Sequence, residues 1–283
     1  MTLIAKNDII GSMKNVKKAK NLNELQKLLS PDRQELLSRF LERKWFKNTE
    51  FQLQKEILIL PEDWEGYLAD LVKRKDEIRG LEILKLTSIQ RGDFMAFTRF
   101  LVRVLHTNQE INYREYVSYK YGSNPGYKGI ILLEDAGEIK YFVLKKAEKF
   151  PIGEPVYDTF GEMIQYKYGQ LINLPKNAEK EIKRQLGVKE LEIKRFIDLG
   201  QMYPDVGKSN QHFSLFAAVI DITKNSENIK KLKDQLITNT KMISFELLIE
   251  PVDRLHEYIH KVDDSFFLAC VLRLISMGLI KIS

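Results

Sequence analysis

The sequence predicts an α/β sandwich whose N-terminal third is mainly helical. Apolar residues recur at helical spacing before residue 80, and strand-like alternation begins near residue 92. One amphipathic helix, from about residue 178, separates two groups of predicted strands. Hydrophobic residues make up 44% of the 283 residues, which is enough to form a sizeable core. We therefore expect a helical region over residues 1–91 and an α/β domain over residues 92–283.

Two helix starts stand out in the N-terminal region. In SPDRQELLSRFLERKWF, Ser30 is placed to cap a helix and Pro31 suits its first position. A second helix is predicted to begin near Pro61, in LPEDWEGYLADLVKRK. The short apolar run EILIL, Glu56–Leu60, predicts a strand between them.

The rest of the chain alternates in the manner of strands. FMAFTRFLVRVLH and INYREYVSYKY are rich in residues that favour strands. GYKGIILLEDAGEIKYFVLKKA predicts a hairpin that turns at Asp135-Ala136-Gly137. HFSLFAAVIDI predicts another buried strand, and the apolar run near the C-terminus predicts a closing helix.

Composition excludes several classes of protein. Cys270 is the single cysteine, so the sequence predicts neither a disulfide framework nor a cysteine-based zinc cluster. No apolar run reaches the roughly 18 residues of a membrane span, and we expect a cytoplasmic protein without membrane association. The net charge of +6 is too small to predict nucleic-acid binding by itself.

The segment AEKEIKRQLGV resembles the Nudix family. The family signature is G-x5-E-x7-R-E-U-x-E-E-x-G-U, in which U is aliphatic. Lys180-Glu181 align with its Arg-Glu pair, and Gly187-Val188 align with its closing pair. The two adjacent glutamates of the signature are replaced by Arg184 and Gln185. The Nudix box is therefore degenerate.

A second segment is similar to the ADP-ribose pyrophosphatase branch of this family. LGQMYPDVGKSNQHFSLFAAVI matches the branch's L-G-x-x-Y-P-x-x-G segment, and Pro204 follows Val188 by 16 residues, as the branch requires. The resemblance implies a Nudix-like α/β/α sandwich over residues 92–283. It also implies a nucleoside-diphosphate-linked ligand such as ADP-ribose.

The replaced glutamates decide the expected chemistry. Carboxylates at positions i, i+3 and i+4 share one helical face, where they could hold Mg²⁺ for hydrolysis. Arg184 instead places a permanent positive charge on that face. At about 4 Å its repulsion is about 4 kcal/mol per unit charge in an effective dielectric of about 20. We therefore expect no metal, no cofactor and no hydrolysis.

The expected function is a sensor or scaffold that binds the nucleoside diphosphate derivative. The residues expected to contact the ligand are Lys180, Arg184, Gln185, Pro204 and His212. One alternative is a divergent Mg²⁺-dependent Nudix hydrolase that uses carboxylates beyond the helix. Its candidate catalytic residues are Glu181, Glu162 and Asp205.

Other partners and motifs remain open at this point. NYREYVSYKYGSNPGYK interleaves tyrosines with basic residues, as in surfaces that stack RNA bases, and gives RNA binding as a second alternative. A homodimer or a protein partner could form through the N-terminal region. HEYIH, residues 256–260, matches the H-E-x-x-H pattern of zinc proteases, but no histidine or glutamate follows it as a third ligand. We interpret HEYIH as a chance match.

Overall fold

The computed structural model describes residues 18–78, 80–106, 108–124, 126–149, 153–163, 174–186, 193–223 and 245–281. These residues belong to two compact units. Unit 1 comprises Met1–Ser123 and Asp205–Gln211, and unit 2 comprises Asn124–Pro204 and His212–Ser283. Among the described residues, none of the helices has the length and apolar character needed to cross a membrane.

The described part of unit 1 contains five α-helices and then four strands. The helices are α1 (Leu22–Leu28), α2 (Pro31–Leu41), α3 (Lys44–Lys47), α4 (Phe51–Leu58) and α5 (Glu65–Lys73). The strands are β1 (Glu77–Ile78), β2 (Leu81–Arg91), β3 (Met95–Val104) and β4 (Ile111–Tyr119). They pair antiparallel in that order.

An aromatic cluster holds the helices of unit 1 on its sheet. Trp45 and Phe46 of α3 are fully buried. The Phe46 ring stacks on Phe40 of α2 with centroids 4.7 Å apart. The Trp45 ring meets Phe100 of β3 edge-on at 5.4 Å. The helix predicted from Pro31 is confirmed, and the one predicted from Pro61 begins as a 3₁₀ turn at Glu62–Trp64 that continues into α5.

The strand predicted at Glu56–Leu60 is wrong, because most of this run belongs to α4. Ile57 and Leu58 are buried in the helical core. The Gln54 side-chain amide, one turn earlier, donates a hydrogen bond to the Phe46 carbonyl at 2.6 Å. A short apolar run suits a strand and a buried helix equally well, so packing on the neighbouring helices decides between them.

The boundary predicted between residues 91 and 92 falls inside a hairpin. Strand β2 pairs with β3 from Leu81 opposite Val104 to Arg91 opposite Ala96. Helices α3 and α4 pack on β2, so the sheet shares one core with the helices. The first unit therefore extends to Ser123 and not to residue 91, where the sequence predicted its end.

The described part of unit 2 is a seven-stranded sheet with helices. The strands are β5 (Gly126–Asp135), β6 (Glu138–Lys149), β7 (Glu154–Asp158), β8 (Phe160–Met163), β9 (Ile193–Met202), β10 (Phe213–Asp221) and β11 (Phe245–Pro251). The helices are α6 (Leu174–Leu186), α7 (Leu255–Ile259) and α8 (Ser265–Ser276). The sheet order is β11-β6-β5-β10-β9, with β7 beside β6 and β8 beside β5. Strand β10 runs parallel to β5, and the other pairs are antiparallel.

The central strands of unit 2 are buried on both faces. Ile131 and Leu133 of β5 share a core with α6, whereas Ile130 and Leu132 share a core with α8. Strand residues alternate between the two faces of a sheet, so one strand serves both helical layers. The predicted α/β/α layering is present within unit 2.

The predicted hairpin between β5 and β6 is confirmed. Asp135 pairs with Glu138, and Ala136 and Gly137 between them have φ of 50° and 83°. Two positive φ values are typical of the two-residue turns that match strand twist. Glycine at the second position accommodates one of them without strain.

Cys270 lies fully buried in α8, and burial raises the pKa of its thiol to about 12. We expect a thiol-specific reagent at pH 8 to leave Cys270 unmodified in the folded protein, since the thiolate is the reactive form. Addition of urea should give stoichiometric labelling. Complete modification in native buffer within the dead time of mixing would contradict this placement.

Candidate functional site

Helix α6 carries the segment that resembles the Nudix box. Ala178, Ile182 and Leu186 are buried at helical spacing and form its core-facing stripe. Lys180 and Arg184 lie on the exposed side. The predicted helix is therefore present. Gly187 and Val188, which end the signature, lie outside the described residues.

The Glu181 carboxylate is bound by its own helix. Its side chain is only 8% exposed. The Arg184 Nε donates a hydrogen bond to Glu181 Oε2 at 2.7 Å, and Arg184 Nη2 donates to Oε1. Gln185 Nε2 also donates to Glu181 Oε1. Both carboxylate oxygens are thus engaged by the residues that replace the signature's glutamates.

This donor set does not fit Mg²⁺, the ion that the resemblance to the Nudix family implies for a hydrolase. The ion prefers several oxygen ligands, but the face offers one carboxylate that is already paired with a guanidinium. Gln185 is buried and turns its amide nitrogen towards Glu181. Within the described ranges, no group of three His, Cys, Asp or Glu side chains is placed to hold a metal ion.

The other two catalytic candidates lie outside α6, and their grouping with Glu181 stays a prediction. Glu162 lies in β8, where it pairs with Tyr127, but its side chain is outside the described set. Asp205 belongs to unit 1. Its Oδ1 accepts hydrogen bonds from the backbone N–H groups of Gly207 at 3.0 Å and Lys208 at 3.1 Å. Asp205 therefore closes a turn.

The remaining predicted ligand contacts lie in different surroundings. Lys180 is exposed and makes no ion pair within the described part of the chain. Pro204 and His212 flank the loop that belongs to unit 1. The Tyr203 ring lies 5.1 Å from the His212 ring, measured between centroids. Ligand contact by these residues stays a prediction.

A cluster of three lysines around Asp158 was missed by the sequence analysis. Asp158 ends β7 and is 5% exposed. Lys145 Nζ lies 3.1 Å from Asp158 Oδ2, and Lys128 Nζ lies 3.4 Å from Oδ1. Lys149 also binds Oδ2. We call Lys128, Lys145, Lys149 and Asp158 the lysine cluster, and it holds three cationic groups around one anion.

Burial and neighbouring charges shift the pKa values of Asp158 and Lys145 in the lysine cluster. Burial alone would raise the pKa of Asp158, but the ammonium groups of the three lysines outweigh it and hold the pKa well below its usual value. Burial lowers the pKa of Lys145, and Asp158 only partly offsets this effect. The cluster is therefore short of negative charge.

The lysine cluster adjoins the strand against which α6 packs. Lys145 Nζ lies 6.0 Å from the centroid of the Phe160 ring, and Phe160 shares the core with α6. Between Asp158 and Phe160, the Thr159 hydroxyl is buried and has no hydrogen-bond partner among the described residues. Next in the chain, Gly161 allows β8 to approach β5, because an added Cβ would lie 2.2 Å from the Tyr127 carbonyl oxygen.

The HEYIH segment forms no zinc site with other residues that the structure describes. Helix α7 spans only Leu255–Ile259. Glu257 is bound by Arg254 at 2.9 Å and Lys261 at 3.4 Å. The hydrogen bond from Arg254 lowers the pKa of Glu257 to about 2. A carboxylate held in this way serves an ion-pair network, as the chance-match interpretation requires.

The tyrosine-rich segment is largely used inside unit 1. Tyr116 lies under the Arg74 guanidinium, 4.2 Å from the ring centroid. Lys120 pairs with Asp63 at 2.9 Å. Tyr113 remains 56% exposed. RNA binding stays a prediction, as does a homodimer or protein partner bound through the N-terminal region.

Comparisons with known proteins identify the fold. No protein-family model matches the sequence, and no curated protein matches it. Solved structures do match, among them the crystal structure of an ADP compounds hydrolase, with a TM-score of 0.50 and 9% sequence identity. The match covers 72% of this chain and 99% of that one. The fold resembles the Nudix type. At this identity the likeness shows the fold alone.

Proposed function

We propose that unit 2 binds a nucleoside-diphosphate-linked ligand such as ADP-ribose without hydrolysing it, and that it serves as a sensor or scaffold. The observation that carries this proposal is the ion pair on α6. Glu181 is held by Arg184 and Gln185, at the positions where the signature has metal-binding glutamates. A fold of the Nudix type without this metal face lacks the activator of water, which leaves binding without hydrolysis as its function.

The lysine cluster supports binding of a diphosphate. Three ammonium groups face one carboxylate, so two positive charges are left without a matching anion inside the cluster. Lysine binds phosphate oxygens through charge-assisted hydrogen bonds. Lys128 and Lys149 keep 21% and 36% of their side chains exposed, which leaves them accessible to a ligand. A diphosphate would supply the missing negative charge. The lysines would then neutralise the diphosphate in place of Mg²⁺.

Two further polar groups of unit 2 can contact a phosphate oxygen of the ligand. The buried Thr159 hydroxyl offers a hydrogen bond to an oxygen of the ligand. The Arg184 side chain, which binds Glu181, is 65% exposed, so a phosphate can approach it from solvent. These groups belong to unit 2 and lie before or within the helix of the Nudix-like segment.

The test of binding compares two lysines of the same strand. Lys149 belongs to the lysine cluster, whereas Lys146 lies over the Tyr157 ring at 5.7 Å and has no contact with Asp158 in the described structure. We expect K149Q to weaken calorimetrically measured ADP-ribose binding about tenfold, the loss of one charge-assisted hydrogen bond. K146Q should change it less than about twofold. Equal effects of both variants would refute the assignment of the diphosphate to the cluster.

The degenerate box gives a second prediction, about Mg²⁺. The double variant R184E/Q185E places carboxylates at positions 181, 184 and 185, which share a helical face. We expect Mg²⁺ at about ten times its dissociation constant to raise the melting temperature of this variant by about 3–6 °C. The wild type and R184Q, which removes the guanidinium without adding a carboxylate, should shift by less than about 1 °C. A comparable shift in the wild type would mean that it already has a metal site.

A further inference from the structure

We propose that unit 1 contains a second ligand site, which recognises a small organic oxyanion, a phosphate monoester or a carboxylate, on an apolar body. A cavity of about 230 Å³ lies between the C-terminal end of α5, the helix-facing side of β2–β4 and the loop over residues 206–210. All of these elements belong to unit 1. The cavity is smaller than the roughly 300–1,000 Å³ of sites for larger ligands, which excludes a whole dinucleotide.

The first anion-binding group is Arg74, the residue that caps the end of α5. Its guanidinium lies over the rings of Tyr116 and Phe100, with its centre 4.2 Å and 5.4 Å from their centroids. Its Nε is buried and has no hydrogen-bond partner in the described structure, and Arg74 forms no ion pair there. Its backbone carbonyl is fixed by the Trp45 indole N–H at 3.0 Å. A preorganised guanidinium with an unused donor fits a planar oxyanion.

The second anion-binding group is Arg114 of β4, which lines the same cavity opposite Phe100. It is exposed, and its side chain makes no ion pair or hydrogen bond to any described residue. Glu115 also lines the cavity, but Arg99 binds its carboxylate at 2.5 Å. The cavity therefore presents two arginines without a carboxylate that is free to neutralise them.

The loop over residues 206–210 contributes one apolar side chain, Val206, and one polar side chain, Asn210, to the wall of the cavity. Its position on β4 is fixed by the Val117 N–H, which donates to the Lys208 carbonyl at 2.8 Å. Val206 is 81% exposed at the cavity, where an apolar ligand group would cover it. The Asn210 side-chain oxygen is buried without a partner among the described residues. With the amide reversed, Asn210 would instead offer an N–H to the ligand.

Most of the remaining lining is apolar. It includes Leu81, Ile83, Phe100 and Val102. Two guanidinium groups beside an apolar floor select a ligand with an anionic head and an apolar or aromatic body. This site is distinct from the lysine cluster, which lies in unit 2.

The test titrates the full-length protein with phenyl phosphate, benzoate and the neutral benzyl alcohol. We expect both anions to bind at millimolar concentration and benzyl alcohol not to bind, as measured by calorimetry or saturation-transfer NMR. R74K, which keeps the charge but loses the planar fork, and R114Q should each weaken the preferred anion about tenfold. Tighter binding of phenyl phosphate would identify a phosphate monoester as the natural head group, and tighter binding of benzoate a carboxylate.

Two controls separate this site from other effects. R103Q removes an arginine from β3 whose partner Glu82 does not line the cavity, and it should change anion binding by less than about twofold. A K149Q background weakens any binding of the probes at the lysine cluster, and R74K and R114Q should still lower the anion affinity about tenfold in that background. The proposal is overturned if neither anion binds, or if R74K and R114Q bind the anions as tightly as the wild type.

Discussion

The variant D158N is expected to lower the free energy of unfolding of unit 2 by about 3 kcal/mol. Among the described residues, Asp158 is the one carboxylate that contacts the three lysines of the cluster. Its removal leaves three ammonium groups close together, one of them on the 10% exposed side chain of Lys145. Breaking a buried pair costs about 3–5 kcal/mol, and we take the lower end because Lys149 is 36% exposed.

Urea unfolding followed by the labelling of Cys270 measures this loss directly. Cys270 is the single cysteine and lies in the core of unit 2, so its reaction reports on the unit that contains Asp158. D253N, which alters an exposed aspartate of the same unit, is the matched control. Pyrophosphate should restore part of the stability of D158N, more than sodium chloride of equal ionic strength, because the uncovered lysines would bind it. A loss below about 1 kcal/mol would show that the ion pairs contribute little.

The same carboxylate predicts a pH dependence. The pKa of Asp158 is lower in the folded state than in the unfolded chain, where it is about 3.9. Its contribution to stability is therefore complete above about pH 4 and is lost as the pH falls towards its folded pKa. D158N should lack this part of the acid-induced loss of stability. Parallel stability curves for D158N and wild type below pH 4 would contradict the assignment.

The variant W45A is expected to destabilise unit 1 by about 4 kcal/mol. The Trp45 side chain is fully buried, and its ring meets Phe40 at 6.0 Å and Phe100 at 5.4 Å. Removing it creates a cavity between helix and sheet. It also leaves the Arg74 carbonyl without the indole N–H that it accepts at 3.0 Å.

Fluorescence during urea unfolding can follow W45A because Trp64, the second of the two tryptophans, also lies in unit 1. W45F keeps much of the ring packing but cannot donate the hydrogen bond, so it should lose about half as much stability. A midpoint for W45A equal to that of the wild type would mean that Trp45 does not join the helices to β3.

The elements that the sequence predicts well are those whose signals are local. The helix from Pro31, the β5–β6 hairpin and helix α6 each have their own periodicity or turn residues. The boundary near residue 91 could not be predicted in this way. Strand β2 belongs with the helices because α3 and α4 pack on it. Such packing contacts have no recognisable pattern in the local sequence.

In the candidate site, too, the sequence predicts the features with local signals and not those that depend on contacts between elements. The loss of carboxylates at Arg184 and Gln185 is visible in the sequence, but their hydrogen bonds to Glu181 require the helix geometry. The lysine cluster joins the consecutive strands β5, β6 and β7, and strand pairing brings Lys128 to Asp158 across 30 positions of the chain. Its signal was Lys128 and Lys145, each of which interrupts the apolar run of a buried strand. A lysine in such a position needs a buried partner.

The most direct test of the central claim is calorimetric titration of the wild-type protein with ADP-ribose, with and without Mg²⁺, followed by chromatography of the recovered ligand. We predict binding that does not depend on Mg²⁺, with the ligand recovered intact. Cleavage that requires Mg²⁺ would contradict the account. It would mean that carboxylates beyond the α6 helix, with Glu162 as the first candidate, complete a metal site.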